Sequence, residues 1–264
     1  MIIHLKNRSL IKISGKDNLT FLQSQFSNNI ELLGECSLQI NTYCQHQGKI
    51  IAILWVFKKD SSYYLSLPND LKESVLNKLN IFKLMSEVDI EDISDQENQY
   101  GLIDEIVPGS IEINQNLSLL VTKNSLKENS NGDFWEMRCI DGNLPEVHLR
   151  TSEKFIPQDL NLDIDEIGVS FSKGCYPGQE IVARMHYLGK PKRKLFRFIS
   201  KFEANIGDSI TTMDSASLKP SGVVLRVAKV DKNFLLLGTF EIKLTNEPVY
   251  LNNDVNKPLK INNE

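Results

Sequence analysis

Of the four cysteines in this chain, Cys175 is the one placed where thiol chemistry is favoured. It lies in the run Lys173-Gly174-Cys175-Tyr176-Pro177-Gly178-Gln179-Glu180, with a lysine on one side and a helix start on the other. Pro177 suits a first helical position, where its fixed φ fits and its missing N–H leaves nothing unpaired. The run from Gln179 to His186 is predicted to be a short helix with Ile181, Val182 and Met185 as its apolar face. Gly189 and then Pro191 close it. Unpaired N–H groups, the positive end of the helix dipole and the Lys173 ammonium all favour the thiolate, the nucleophilic and metal-binding form of cysteine. The plain alternative is a small buried cysteine in a turn that needs its glycines for shape.

The other cysteines point away from a resident metal or a disulfide framework. Cys36, Cys44 and Cys139 are scattered, with no C-x-x-C pair. An iron–sulfur cluster held permanently asks for several closely spaced thiolates. Cys44 and His46 offer two ligands near a strand end without a second pair, which is more often plain structure. Two charge blocks stand out. From Glu87 to Glu105 there are eight acidic residues and no lysine or arginine, which reads as a solvated face. From Arg184 to Lys201 there are seven lysines and arginines and no acid, directly after the cysteine turn.

The elements that must position these groups alternate between strands and helices. Residues 2–6 and 9–13 are predicted to be strands joined through Asn7 and Arg8. Leu19, Leu22 and Phe26 recur at helical spacing behind Asp17, a candidate cap. Strands are expected at 38–44, 49–58 and 62–67, the first two joined by Gln45-His46-Gln47-Gly48. A helix carrying Leu71, Val75 and Leu79 and a strand at 87–93 follow. This order predicts an α+β region with antiparallel sheets. After Pro191 the texture becomes short strands only: Phe196, Phe198, Ser200 and Phe202 alternate, as do Val223, Leu225 and Val227, and residues 231–233 read as a hairpin turn. That pattern predicts a small C-terminal β-barrel, and the domains are placed at 1–190 and 191–264.

Composition sets wider limits. With 264 residues, 41% hydrophobic and 24% charged, the chain matches an ordinary soluble domain or pair of domains. A net charge of −4 does not fit a dedicated nucleic-acid coat. The start lacks the long apolar core of a secretory signal, and Lys49–Phe57 is too short to span a bilayer. A cytoplasmic protein with no membrane partner is the expectation.

Lys173–Glu180 followed by Ile181-Val182-Ala183-Arg184 and a glycine resembles the signature of the YgfZ family, folate-binding proteins related to the glycine-cleavage aminomethyltransferase. Phe21–Ile30, Cys44–Ile50, Asp141–Val147 and Phe155–Leu162 agree in the same order. The resemblance implies an aminomethyltransferase-like folate-binding region followed by a β-barrel, with tetrahydrofolate as ligand. It also implies a role in iron–sulfur cluster assembly or repair and in iron–sulfur-dependent tRNA modification. The implied partners are iron–sulfur client enzymes or assembly factors. Cys175 is the position implied to be needed, with Lys173 beside it. Trp135 falls where the family carries a folate-contacting tryptophan, whose indole would stack on a flat heterocycle for about 0.5–1.5 kcal/mol. A second family tryptophan is replaced by Arg8, which can stack on an aromatic face and pair with a carboxylate. Asp141 stands in the place of a family glutamate that would accept from the pterin amino and ring N–H groups. Asp141-Gly142-Asn143 is otherwise simply a turn. Tyr176, Gln179, Glu180 and Arg184 complete the implied folate contacts.

Two other functions stay open. A one-carbon transferase needs a carboxylate beside the folate nitrogen, for which Asp104 is the available candidate. The basic segment 184–201 fits direct tRNA binding, the carboxylates of a polyglutamylated folate tail, or an acidic protein.

Overall fold

The computed structural model describes residues 1–213 and 220–262. In chain order its elements are β1 (Ile2–His4), β2 (Arg8–Ser14), α1 (Asn18–Gln25), β3 (Leu38–Cys44), β4 (Ile50–Lys59), β5 (Ser62–Pro68), α2 (Lys72–Phe82), β6 (Asp89–Asp92), β7 (Asn98–Ile103), β8 (Ile111–Asn114) and β9 (Leu117–Thr122). Then come α3 (Gly132–Asp141), α4 (Gln179–Leu188), β10 (Arg193–Ser200), β11 (Ser209–Thr212), β12 (Gly222–Val230), β13 (Asn233–Glu241), β14 (Val249–Leu251) and β15 (Asp254–Asn262). All named strand pairs are antiparallel. β3-β4-β5-β2-β6 form one sheet and β1-β7-β9-β8 a second, while β10-β13-β12-β11-β14-β15 close into a barrel. The protein is therefore α+β, with a two-sheet body and a six-stranded C-terminal barrel. No described helix is long and apolar enough to cross a membrane.

Several expectations shift. β1 and β2 do not form a hairpin: β1 pairs with β7 and β2 with β5 and β6, so the chain changes sheets at residues 5–7. The reason is local. Leu5 donates to Gln99 O, and Arg8 N–H turns back to Leu5 O, ending the first strand. Asp17 does not cap α1 with its side chain; its carboxylate instead accepts from Glu87 N–H at 2.8 Å. The eight acids of the acidic block are exposed or half-buried, as expected of a solvated face, while the acid-free stretch of β7 within it is buried from Gln99 to Ile103.

The core of the body gathers around the central strand β4. β4 is buried over its first eight residues, as an apolar run in a central strand should be. Its Trp55 sits edge-on to Trp135 of α3, with ring centroids 6.2 Å apart. Trp135 fits because residue 101 of β7 is glycine: a Cβ there would lie 2.4 Å from the indole. Each fully buried large side chain of this cluster is worth about 1.5–3 kcal/mol.

The barrel shares this core. Val224, Phe198 and Leu236 fill its interior, whereas Leu195, Leu225, Ala228 and Leu237 pack outward into the main cluster. The predicted alternation of Val223, Leu225 and Val227 on one face is broken. A β-bulge between Val224 and Arg226 inserts Leu225 as an extra residue, so Val227 turns into the barrel while Arg226 turns toward the body.

Candidate active site

Two places gather the residues with chemistry, and they differ in every physical respect. The first is the loop before α4. Gly178 caps α4 with φ +81, in the left-handed region, so the helix begins at Gln179. Pro177 lies in the turn ahead of it and not at the first helical position. The glycine is required twice over. A Cβ at residue 178 would stand 2.5 Å from Gln45 O and 2.7 Å from Gly48 N and Cα. Gly48 (φ +73) faces it from the β3–β4 turn, where its N–H donates to Gln45 O at 2.8 Å. The loop thus rests backbone to backbone on the hairpin turn that carries His46.

Cys175 is exposed on this support. It lines an open depression of about 500 Å³ with Ser24, His46, Tyr176, Pro177, Gly178, Gln179 and Glu180. Lys173 does not serve the thiol. Its ammonium is buried and donates to the carbonyls of Gln23 (2.7 Å), Phe26 and Asn28 (3.1 Å). These carbonyls lie at and just past the C-terminal end of α1, where the last carbonyls of a helix have no partner of their own. Burial pushes this lysine down to about 8, so it is still charged at neutral pH. Lys173 is a clamp between α1 and the loop, not an activator of Cys175. Tyr176 is buried under that ammonium, 5.3 Å from its ring centroid, and burial pushes its phenol up. Gln179 donates to Lys173 O, while Glu180 and Arg184 face solvent.

The remaining cysteines separate sharply. Burial pushes both Cys44 and Cys139 up to about 12, which keeps them as inert thiols. Cys36 is exposed, in a depression with Asp104, Glu105 and Glu112, an anionic neighbourhood. His46, dismissed as structural on sequence grounds, shares the Cys175 depression. Cys44 points into the core.

The second place is sealed. Arg8 lies over the Trp55 ring, with Cζ 3.8 Å from the centroid, and pairs with Glu146. Its Nε donates to Ser66 Oγ (2.8 Å) and Nη2 to Ser66 O (3.0 Å). From the barrel, Arg226 reaches Glu146 (3.2 Å), Glu136 (2.7 Å) and Leu144 O (2.7 Å). Burial alone would raise the Glu146 carboxyl; the Arg226 and Arg8 guanidinium groups outweigh it and hold it at about 2. Trp135 is 3% exposed and Arg8 7%. Asp141 stands apart at the exposed end of α3, beside Met137, Ile199 and Phe234. The arrangement does not fit a folate stacked on Trp135 and Arg8. One indole face is closed by Gly101, and the guanidinium already stacks on Trp55 and bonds a carboxylate. The buried carboxylate is Glu146, after the Leu144-Pro145 step, and not Asp141 before it.

Known proteins give the family. No family model matches the chain. An uncharacterized protein of Haemophilus influenzae is 34% identical over 87% of this chain and 85% of its own length. The tRNA-modifying proteins YgfZ of Colwellia psychrerythraea and Vibrio atlanticus are each 29% identical, over 76% and 78% of this chain and 72% and 71% of theirs. The chain belongs to the YgfZ family. Among solved structures, the glycine cleavage system aminomethyltransferase T of Bartonella henselae superposes with a TM-score of 0.70 at 11% identity. The match covers 98% of this chain and 84% of that one. At that identity the likeness establishes the fold. For this YgfZ member, the residues of the Lys173–Glu180 run divide into two groups. Lys173, Tyr176 and Gly178 build the platform, whereas Cys175 and Glu180 face the open depression.

Proposed function

We propose that this protein is an accessory factor for tRNA modification that serves iron–sulfur enzymes through the Cys175 thiol. The observation that carries the reading is an exposed cysteine held over an open depression by a rigid glycine-to-glycine contact, with His46 and Glu180 on the same rim. A sulfur so placed is accessible to a client's thiol, sulfide or iron, and the imidazole and carboxylate are groups able to move a proton there. The names of the curated relatives support tRNA modification as the process; the iron–sulfur step is our own extension.

The test is rescue of methylthiolated tRNA in a bacterial strain lacking its own family member, measured by mass spectrometry of nucleosides. Cys36→Ser should rescue as well as wild type, and Cys175→Ser should fail while accumulating to the same level. Full rescue by Cys175→Ser would refute the thiol role.

The fold supports tetrahydrofolate as a ligand class, but the side chains at Arg8 and Trp135 do not. Titration with 5-formyltetrahydrofolate is expected to leave the emission of Trp55 and Trp135 unquenched beyond inner-filter loss. Saturable quenching would restore the folate site inferred from resemblance. The one-carbon transferase alternative loses ground for a geometric reason. Asp104 is engaged by Arg138 at 3.1 Å, in a depression lined by neither Trp135 nor Cys175.

A further inference from the structure

Downstream of the cysteine loop, the exposed end of α4 carries an arrangement that neither the core nor the thiol uses. The rings of Phe171 and His186 are stacked, with centroids 3.7 Å apart and planes at 20°. Tyr187 meets both edge-on, at 4.9 Å from His186 and 6.0 Å from Phe171. None of the three belongs to a buried hydrophobic cluster. Tyr187 is 68% exposed and Leu188 83%. Aromatic side chains ordinarily contribute by burying area; Phe171 is half-buried and stacked on His186, but His186 and Tyr187 are exposed, so the Tyr187 ring is left open to a partner.

The surrounding charge narrows what that is. Arg184, Lys190 and Lys192 are exposed within one turn of the trio or just beyond it. Among the described residues none of the three, nor Lys194 or Arg197, has a carboxylate within 4 Å, whereas Arg193 pairs with Glu241. The Asp163 carboxylate lies 3.8 Å from His186 Nδ1, beyond hydrogen-bond distance. Unpaired cations next to open aromatic faces match a partner with an anionic backbone and flat bases. A lipid surface fits less well: on the α4 face that bears Ile181 and Leu188, Arg184 stands between them and interrupts the apolar stripe.

We infer that the Phe171–His186–Tyr187 trio with Arg184, Lys190 and Lys192 is a docking surface for single-stranded RNA. Bases stack on the exposed tyrosine and phosphates pair with the cations. By helical rise, Tyr187 stands about 12 Å along the axis from Gln179. A strand seated on the trio therefore lies beside α4 and leads toward the Cys175 depression. This deepens the proposed role in tRNA modification and rests on it for the biological identity of the RNA.

Fluorescence anisotropy of the full chain with a fluorescein-labelled twelve-nucleotide oligouridylate tests the surface, with a blunt duplex RNA of the same length as control. Wild type should prefer the single strand. Tyr187→Ala should weaken it about tenfold, the size of one lost base–aromatic stack. Lys190→Ala/Lys192→Ala should flatten the log–log salt slope by about 1.4, from two lost phosphate contacts on a single strand. Equal affinity for the duplex, or unchanged binding by Tyr187→Ala, would overturn the stacking surface. So would binding only to anionic phospholipid vesicles. Cys175→Ser should bind RNA like wild type. Its loss of tRNA-modification rescue concerns the thiol alone, so failure of either idea is visible without the other.

Discussion

The cysteine loop and the Arg8–Glu146–Arg226 node are both built from residues far apart in sequence, but they are fixed by opposite means. The loop is held by contacts that involve no chemistry of its own: glycine backbone against glycine backbone, and a lysine spent on carbonyls. Its one reactive group is left facing water. The node turns its charged groups inward, on one another, on Ser66 and on the Trp55 face, with Arg226 Nη2 buried near Glu146 but without a hydrogen bond. Charge type therefore does not distinguish site from scaffold in this molecule; whether a group faces solvent does.

The comparison is most easily broken at Glu146. Glu146→Gln leaves Arg8 and Arg226 facing a neutral partner in the core and should cost about 3–5 kcal/mol in urea unfolding. A loss below about 1 kcal/mol would mean that the node is hydrated and not sealed. The same carboxylate sets an acid limit. Its folded value, about 2, lies below the ordinary 4.5, so its contribution is complete above about pH 4.5 and drains away as the pH falls toward 2. The unfolding midpoint should drop across that window in wild type and move less in Glu146→Gln.

On the loop, Gly178→Ala adds a Cβ at φ +81 against Gln45 O. The left-handed conformation alone costs about 1–2 kcal/mol, and the contact adds to it. The sharper readout is the rate of Cys175 alkylation, which should change as the loop lifts from the hairpin. An unaltered rate would show that the glycine contact does not position the sulfur. The smallest effect in stability belongs to the cysteine itself. Cys175→Ser should lie within about 0.5 kcal/mol of wild type, as for an exposed side chain. In intact protein, iodoacetamide should label Cys175 and Cys36, reaching Cys44 and Cys139 only on unfolding.

Much of this was legible before any coordinates. The helix over 179–186, the strands at 38–44 and 49–58 and the all-strand C-terminal texture follow from periodicity and turn residues, and the structure reproduces them with small shifts. What sequence hid was partnership. Lys173 reads as an activating neighbour because it is two residues from Cys175, yet its length lets the ammonium reach back under α1, 145 or more residues away in sequence. Trp135 reads as a ligand platform until Gly101 is seen closing one face. Two signals were available for the node. Glu146 stands alone in Leu144-Pro145-Glu146-Val147, and Arg226 sits inside the otherwise apolar run Val223–Ala228. A charge stranded in such a run asks for a buried partner. The bulge that aims Arg226 inward has no reliable sequence mark, because Leu225 looks like any other strand residue.

The outward face of the barrel has a practical corollary. Leu195, Leu225 and Leu237 belong to the interior of the body, and Arg226 supplies half the countercharge for a carboxylate there. Severing the polypeptide near residue 190 would therefore not yield two independent pieces. It would leave an oily scar on each, with a glutamate that keeps only Arg8 on one and a bare guanidinium on the other. The two halves share one hydrophobic core and one buried ion cluster.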